Sequence, residues 1–262
     1  MCLLVAAFDC HPEFRLVLAG HRDEFHARPA AALGWWDEPA ELLAGRDLQA
    51  GGTWLGVGRD GRVGVVTNFR GPGSLRPDGP SRGRLVPAFL AGSLPASRYG
   101  ESLLAMAASY SGFNLLLLDR QGLTYVCNRP TPQLSRLPRG LYGLSNDRLD
   151  TPWPKVVGAR ERIAAALGTA GWSAGSLFRA LKDRRPAPDE SLPDTGIGLA
   201  RERVVSAPFI VDPEYGTRCA TVVLLGRDGT IHVEERRYDA LGEATGRTAF
   251  AFRESPTAAG RG

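Results

Sequence analysis

Cys2 stands directly behind Met1, at the head of the apolar run CLLVAAF (2–8). If Met1 is removed, the chain begins with a cysteine that carries a free α-amine and a thiol on one carbon. An unperturbed α-amine titrates at about 7.7–8.0 and a thiol at about 8.5. The amine is then near-neutral and can act as the base for its own thiol, directly or through water. Thiolate is favoured by nearby cations, and Arg22 and Arg218 are the candidates. Asp23 is placed to hold and orient the amine. The carboxamides of Asn68 and Asn146 can donate to the oxyanion of an attacked acyl carbon, where one such donor is worth about 2.7–4 kcal/mol. The chemistry is attack on an amide or thioester, an acyl-enzyme on Cys2, and release by water, with no cofactor required.

These residues have to be brought together by the strands that carry them. CLLVAAF (2–8) and, between its charged and polar ends, RLVLAGH (15–21) are unbroken apolar runs, as expected for strands covered on both faces, and DCHPE (9–13) holds the turn residues between them. A turn centred near residues 11–12 sets Cys2 across from His21, within about two residues, with HRDE (21–24) at the same tip. TWLGVG (53–58) and RVGVVTNF (62–69) make a second hairpin that turns at Asp60-Gly61 and sets Asn68 opposite Thr53. Asn146 follows the strand GLYGLSN (140–146), and Arg218 opens TRCATVVLLG (217–226), which pairs with TIHVEERRY (230–238). FNLLLLD (113–119) and GLTYVCN (122–128) form a further hairpin. Helices are expected over 84–92, 96–110 (with Leu103, Leu104 and Met106 inward), 156–168 and 173–183; 25–52 and 184–198 read as loops.

Strands that arrive in adjacent antiparallel pairs argue against a doubly wound fold. The expectation is α+β: a four-layer αββα sandwich of two antiparallel sheets with helices outside. It forms one domain over 1–262, with a flexible tail from about 253. The pocket is then lined by 25–52, 70–82 and 184–216, segments that carry Trp35, Trp36, Trp54 and several arginines.

Composition removes other classes. The chain has 262 residues, 43% hydrophobic and 23% charged, with net charge +4. Of the 32 basic residues 30 are arginines, scattered with no run longer than two, so no nucleic-acid surface is expected. The longest apolar runs are far short of a membrane span. The opening run lacks a basic start and is stopped by Asp9, which speaks against a signal peptide and for a cytoplasmic protein. Cys2, Cys10, Cys127 and Cys219 form no CxxC and no metal-ligand spacing, so free thiols and no metal site are expected.

The chain resembles the NRDE family, whose eukaryotic members are the transport and Golgi organisation protein 2 homologues. The resemblance is carried by MCLLVAAFD, AGHRDEFHARP, GRDLQAGGTWLGV, VTNFR, SRGRLVPAFL, YGLSND followed by TPWPK, LPDTG and PFIVDPEYGTRCATVVLL, from residue 1 to about 225. The motif that names the family opens with Asn, and His21 stands there in this chain. A more distant similarity is to the choloylglycine hydrolase and penicillin V acylase family of N-terminal nucleophile hydrolases. That resemblance implies an αββα fold and an amide-cleaving N-terminal Cys. By segment, it places the catalytic Asp at Asp23, the two Asn at Asn68 and Asn146, the late Arg at Arg218 and a further Arg near Arg22.

The family resemblance also implies an alternative, a non-catalytic carrier of haem or of an acyl-CoA or lipid ligand in the same pocket. Haem needs an axial ligand, for which the chain offers His11, His21, His26, His232, Met106 or the Cys2 thiolate. The sequence leaves the acyl substrate and the oligomeric state open.

Overall fold

The computed structural model describes residues 2–39 and 41–255. The expected loss of Met1 and the expected tail beyond 255 lie outside the described residues. One sheet has six strands: β1 (Cys2–Phe8), β2 (Phe14–Phe25), β10 (Gly140–Leu144), β11 (Tyr215–Gly226), β12 (Thr230–Tyr238) and β13 (Ala244–Arg253), in the order β10-β1-β2-β11-β12-β13. The other has seven in sequence order: β3 (Ala30–Trp35), β4 (Leu42–Asp47), β5 (Leu55–Gly58), β6 (Val63–Asn68), β7 (Phe113–Asp119), β8 (Gly122–Cys127) and β9 (Gln133–Leu137). Every pairing is antiparallel.

Alternation along β1 explains why it is apolar throughout. Leu4, Ala6 and Phe8 join Leu55, Val57, Val65 and Leu116 in the core between the sheets. Leu3, Val5 and Ala7 face α3 (Pro154–Leu167) and α4 (Ala174–Leu181) through Val156, Ile163 and Phe178. On the far side, α1 (Leu85–Ala91) and α2 (Ala96–Ala105) cover Leu115, Leu117 and Val126 with Val86, Phe89 and Leu103. The αββα layering is therefore as expected.

Several elements differ from the sequence reading. The supposed loop 25–52 contains β3 and β4, whose Ala- and Gly-rich sequence carries little strand signal. β9 and β13 are edge strands, half of whose residues face solvent. α5 (Leu199–Ser206) lies within the segment read as pocket loop. α2 ends at Ala105, and Met106 is exposed instead of inward.

The Asp60-Gly61 turn forms, but over three residues: the Gly58 N–H reaches the Arg62 carbonyl and Gly61 takes φ 78°. A three-residue loop closed by a left-handed Gly shifts the register by one from a two-residue turn. Leu55 pairs with Val65, and Asn68 has Phe113 of β7 as its partner, not Thr53.

One backbone contact fixes the cavity wall. A Cβ at Gly52 would lie 2.4 Å from the carbonyl carbon of Gly83, and the Thr53 N–H donates to the Gly83 carbonyl at 2.9 Å. Gly52→Ala forces the 76–83 segment away. It should cost about 1–3 kcal/mol, seen as a lower denaturant midpoint, with tryptophan fluorescence reporting altered surroundings of Trp54.

Candidate functional site

The β1–β2 register decides which side chains Cys2 meets. Phe8 pairs with Leu16 across a seven-residue loop, so Cys2 pairs with Arg22 and Leu3 with His21. This is one residue from the sequence expectation, and a one-residue step exchanges faces. Arg22 therefore shares the face of Cys2. His21 points to the helix side, where its ring meets Phe209 edge-on at 5.5 Å and its Nδ1 lies 3.0 Å from the Pro208 carbonyl. Burial lowers the His21 pKa, so the ring is neutral and Nδ1–H donates.

On the other side of β2, Arg22 pairs with Cys219 of β11, and Cys219 with Arg237 of β12. Cys2, Arg22, Cys219 and Arg237 thus form one rung across four strands. Asp23 lies one residue beyond the partner of Cys2, on the side of the Cys2 nitrogen. It is buried, and its Oδ1 accepts from Thr217 Oγ1 at 2.7 Å. The Tyr215 hydroxyl donates to the Asp23 carbonyl at 2.8 Å.

Cys2, Arg22, Asp23, Asn68 and Arg218 line one cavity of about 430 Å³. Asn146 is not on its wall. It is fully buried, and its Nδ2 donates to the Asn68 carbonyl at 2.9 Å, which positions Asn68 instead of facing a ligand. Ser145 next to it donates from Oγ to the Cys2 carbonyl at 2.8 Å. Arg218 sits in a bulge between Thr217 and Cys219, and its Nη1 donates to the carbonyls of Phe25, His26 and Arg28 at 2.8, 3.1 and 3.1 Å. It ties the turn after β2 to β11. Arg22 shares Asp47 (3.4 Å) with Arg28 (2.7 Å), and its own Nη1 is buried without a hydrogen-bond partner.

The 28–54 and 76–83 segments line the cavity as expected, while 184–216 does not. Trp54 is on the wall; Trp35 instead packs against Phe250 and Phe252, and Trp36 carries Arg46 on its ring.

Burial pushes the Cys2 thiol up to about 11; Asp23 and Glu24 add to the rise and Arg22 opposes it. Three further groups belong to this environment. Arg82 loses affinity for its proton through burial, and Cys2 is the foremost influence restoring it. Lys155, at the start of α3, is buried with Nζ 2.9 Å from the Val205 carbonyl; burial brings it down to about 8, with Asp23 the strongest opposing charge. Glu235 of β12 is raised by burial. Sequence reading missed all three as site residues. Arg82 and Lys155 lie in SRGRLV and TPWPK, two of the segments that carry the resemblance, and Lys155 is one of only two lysines in the chain.

Comparison with known proteins bears on the family and on the fold. A family model described as "Transport and Golgi organisation 2" matches residues 1–240. A Transport and Golgi organization protein 2 homolog of Bos taurus is 33% identical over 256 residues, covering 90% of this chain and 92% of the relative. The Homo sapiens homolog is 32% identical with the same coverage, and the Drosophila melanogaster protein 26% identical over 92% of this chain and 93% of its own. Among solved structures, a Caenorhabditis elegans N-acylethanolamine-hydrolyzing acid amidase ortholog matches with a TM-score of 0.50 at 10% identity, over 85% of this chain and 92% of that one. At that identity the likeness concerns the fold, which is the N-terminal nucleophile hydrolase fold.

Two titrations follow. In protein that retains Met1, alkylation of Cys2 by iodoacetamide tracks the thiolate and should keep rising up to about pH 11; a plateau near pH 8.5 would contradict the buried thiol. Between about pH 8 and 10.5 the unfolded chain holds a proton on Lys155 that the folded chain has released. Stability relative to Lys155→Met should therefore rise with pH through that window, by up to about 1.4 kcal/mol per pH unit, measured by urea melts of both proteins.

Proposed function

The chain belongs to the Transport and Golgi organisation 2 family, and we propose that it is an N-terminal nucleophile acyl-transfer enzyme that cleaves an amide or thioester with Cys2 after loss of Met1. The observation that carries this reading is the place of Cys2: at the head of β1, in the wall of a cavity, beside Arg22 and one residue from Asp23.

In the proposed cycle the α-amine of Cys2, held by Asp23, takes the thiol proton as sulfur attacks the acyl carbon. The C–S bond forms and the carbonyl oxygen gains charge. The Asn68 carboxamide is the candidate donor to that oxygen, and Asn146 holds the Asn68 backbone in place. The C–N or C–S bond to the leaving group then breaks, and the leaving group takes the proton from the amine. Water, deprotonated by the same amine, releases the acyl group and restores the thiol. Arg22 and Arg82 favour the thiolate that burial opposes. Removal of Met1 matters doubly, since it supplies the base and opens the end of the strand.

A carrier reading keeps the cavity and omits the chemistry. The high thiol pKa of Cys2 favours it. For haem in particular the wall offers Cys2, Cys219 and Tyr238 but none of the histidines and not Met106, a donor set that fits haem poorly while the thiols stay protonated. Among the described residues no helix is long and apolar enough to cross a membrane.

Intact mass should show the purified protein without Met1 and, after a short incubation with an activated acyl ester, a single acyl adduct that Cys2→Ala lacks. Asn68→Ala should lower kcat about 10²–10³-fold with a smaller effect on KM. Native protein that retains Met1 would sink the hydrolase reading; a bound ligand retained by Cys2→Ala with no adduct on the wild type would favour the carrier.

A further inference from the structure

Regular pairing of β6 ends at Asn68, opposite Phe113. Two more backbone donors carry the chain on: the Phe69 N–H reaches the Gly112 carbonyl at 2.9 Å, and the Arg70 N–H reaches the Asn146 carbonyl at 2.7 Å. Asn146 therefore grips both sides of Phe69, with its Nδ2 on the Asn68 carbonyl and its own carbonyl on the Arg70 N–H. A carboxamide offered to an oxyanion is only as well aimed as the backbone beneath it. A misplacement of about 1 Å is enough to cost about 10²-fold in rate.

The Arg70 side chain extends this grip away from the cavity. It is 10% exposed, and its Nη2 lies 3.0 Å from Oε2 of Glu202 on α5, which is 4% exposed. The guanidinium also sits over the Trp153 ring at 5.0 Å. The second oxygen of Glu202 accepts from both the N–H and the hydroxyl of Thr195. The end of β6 is thereby tied to α5 and to the segment LPDTG (192–196), neither of which is on the cavity wall. Arg70, Trp153 and Thr195 belong to VTNFR, TPWPK and LPDTG, three of the segments that carry the resemblance. The proposed cycle leaves all three residues without a task.

An ion pair at this depth is a poor source of stability. Desolvation of the two charges offsets most of their attraction, and an apolar pair of similar volume commonly does as well. What it supplies is geometry. A guanidinium donates in one fixed plane, and Glu202, held at its other oxygen by Thr195, cannot follow a moving arginine. We propose that Arg70 and Glu202 are positioning residues of the acyl-transfer site, a buried brace that fixes the end of β6 so that the Asn68 carboxamide meets the developing oxyanion. The proposal rests on the acyl-transfer reading for the oxyanion; the brace itself is a property of the folded chain.

The test is acylation of Cys2 by p-nitrophenyl butyrate in protein lacking Met1, followed by nitrophenolate release and by mass, and fitted to a maximal rate and a half-saturating concentration. Arg70→Met should lower the maximal rate about tenfold or more, by no more than Asn68→Ala does, and leave the half-saturating concentration within about twofold. Arg70→Lys should restore part of the rate. In an Asn68→Ala background Arg70→Met should cost nothing further, because two changes acting through one group do not add. If Arg70→Met does not fold, Glu202→Gln takes its place: it keeps an acceptor for Thr195 and turns an amide NH2 on Arg70. Equal fold-losses in both backgrounds, or wild-type maximal rates in Arg70→Met and Glu202→Gln, overturn the proposal. Hydrogen exchange over residues 68–71 separates the brace from the chemistry. Exchange there should rise about tenfold or more in Glu202→Gln, and unchanged exchange overturns the brace. Wild-type protein that forms no adduct while Glu202→Gln loses this protection would count against the acyl-transfer reading and leave the brace standing.

Discussion

Backbone hydrogen bonding between β1, β2 and β11 sets everything else at the site. Strand pairing has a period of two, so a side chain's face is decided by its register and by nothing local to it. The observed register puts Cys2, Arg22 and Cys219 on one rung and one face, and turns His21 to the helices. The bulge at Arg218 then breaks the alternation at the point where a side chain has to reach the turn after β2. Without these two pairings the cavity would have walls but no thiol beside a cation.

The site is also a compromise between burial and charge. The thiol, the carboxyl of Asp23 and the ammonium of Lys155 are all nearly inaccessible to solvent. Each alone would be costly in that setting. Burial disfavours the charged form of each, which is why the Cys2 titration is displaced upward and that of Lys155 downward; Asp23 adds to the first displacement and opposes the second. Such a cluster of displaced groups in a cleft is typical of functional sites, although ion-pair networks in general can show it.

Much of this was legible in the sequence, for identifiable reasons. Strands apolar at every position announced layers on both sides, and the Asp-Gly turns announced hairpins, so the αββα sandwich followed. Cys2, Arg22, Asp23, Asn68 and Arg218 were found because polar residues at the ends of buried strands are conspicuous. The one-residue register errors arose in the loops, where turn type was not visible: Asp9 opens the first loop in the left-handed region and Gly61 closes the second. Arg82 and Lys155 escaped because each reaches the site from outside the central strands, one from a loop and one from a helix N-terminus. Asn146 was identified as a site residue, but its service to Asn68 depends on a side chain pointing into backbone, which no pattern of residue types encodes.

The loop between β1 and β2 lies at the opposite end of the sheet from Cys2, and residues 9–13 fall outside the strands it joins. Homologues can therefore gain or lose residues there while the thiol keeps its neighbours. A single insertion between Leu16 and Arg22 would instead turn every following side chain of β2 over. Length variation across relatives should accordingly be permitted at one end of this hairpin and purged from its interior, so an alignment gap is itself a map of which end does the work.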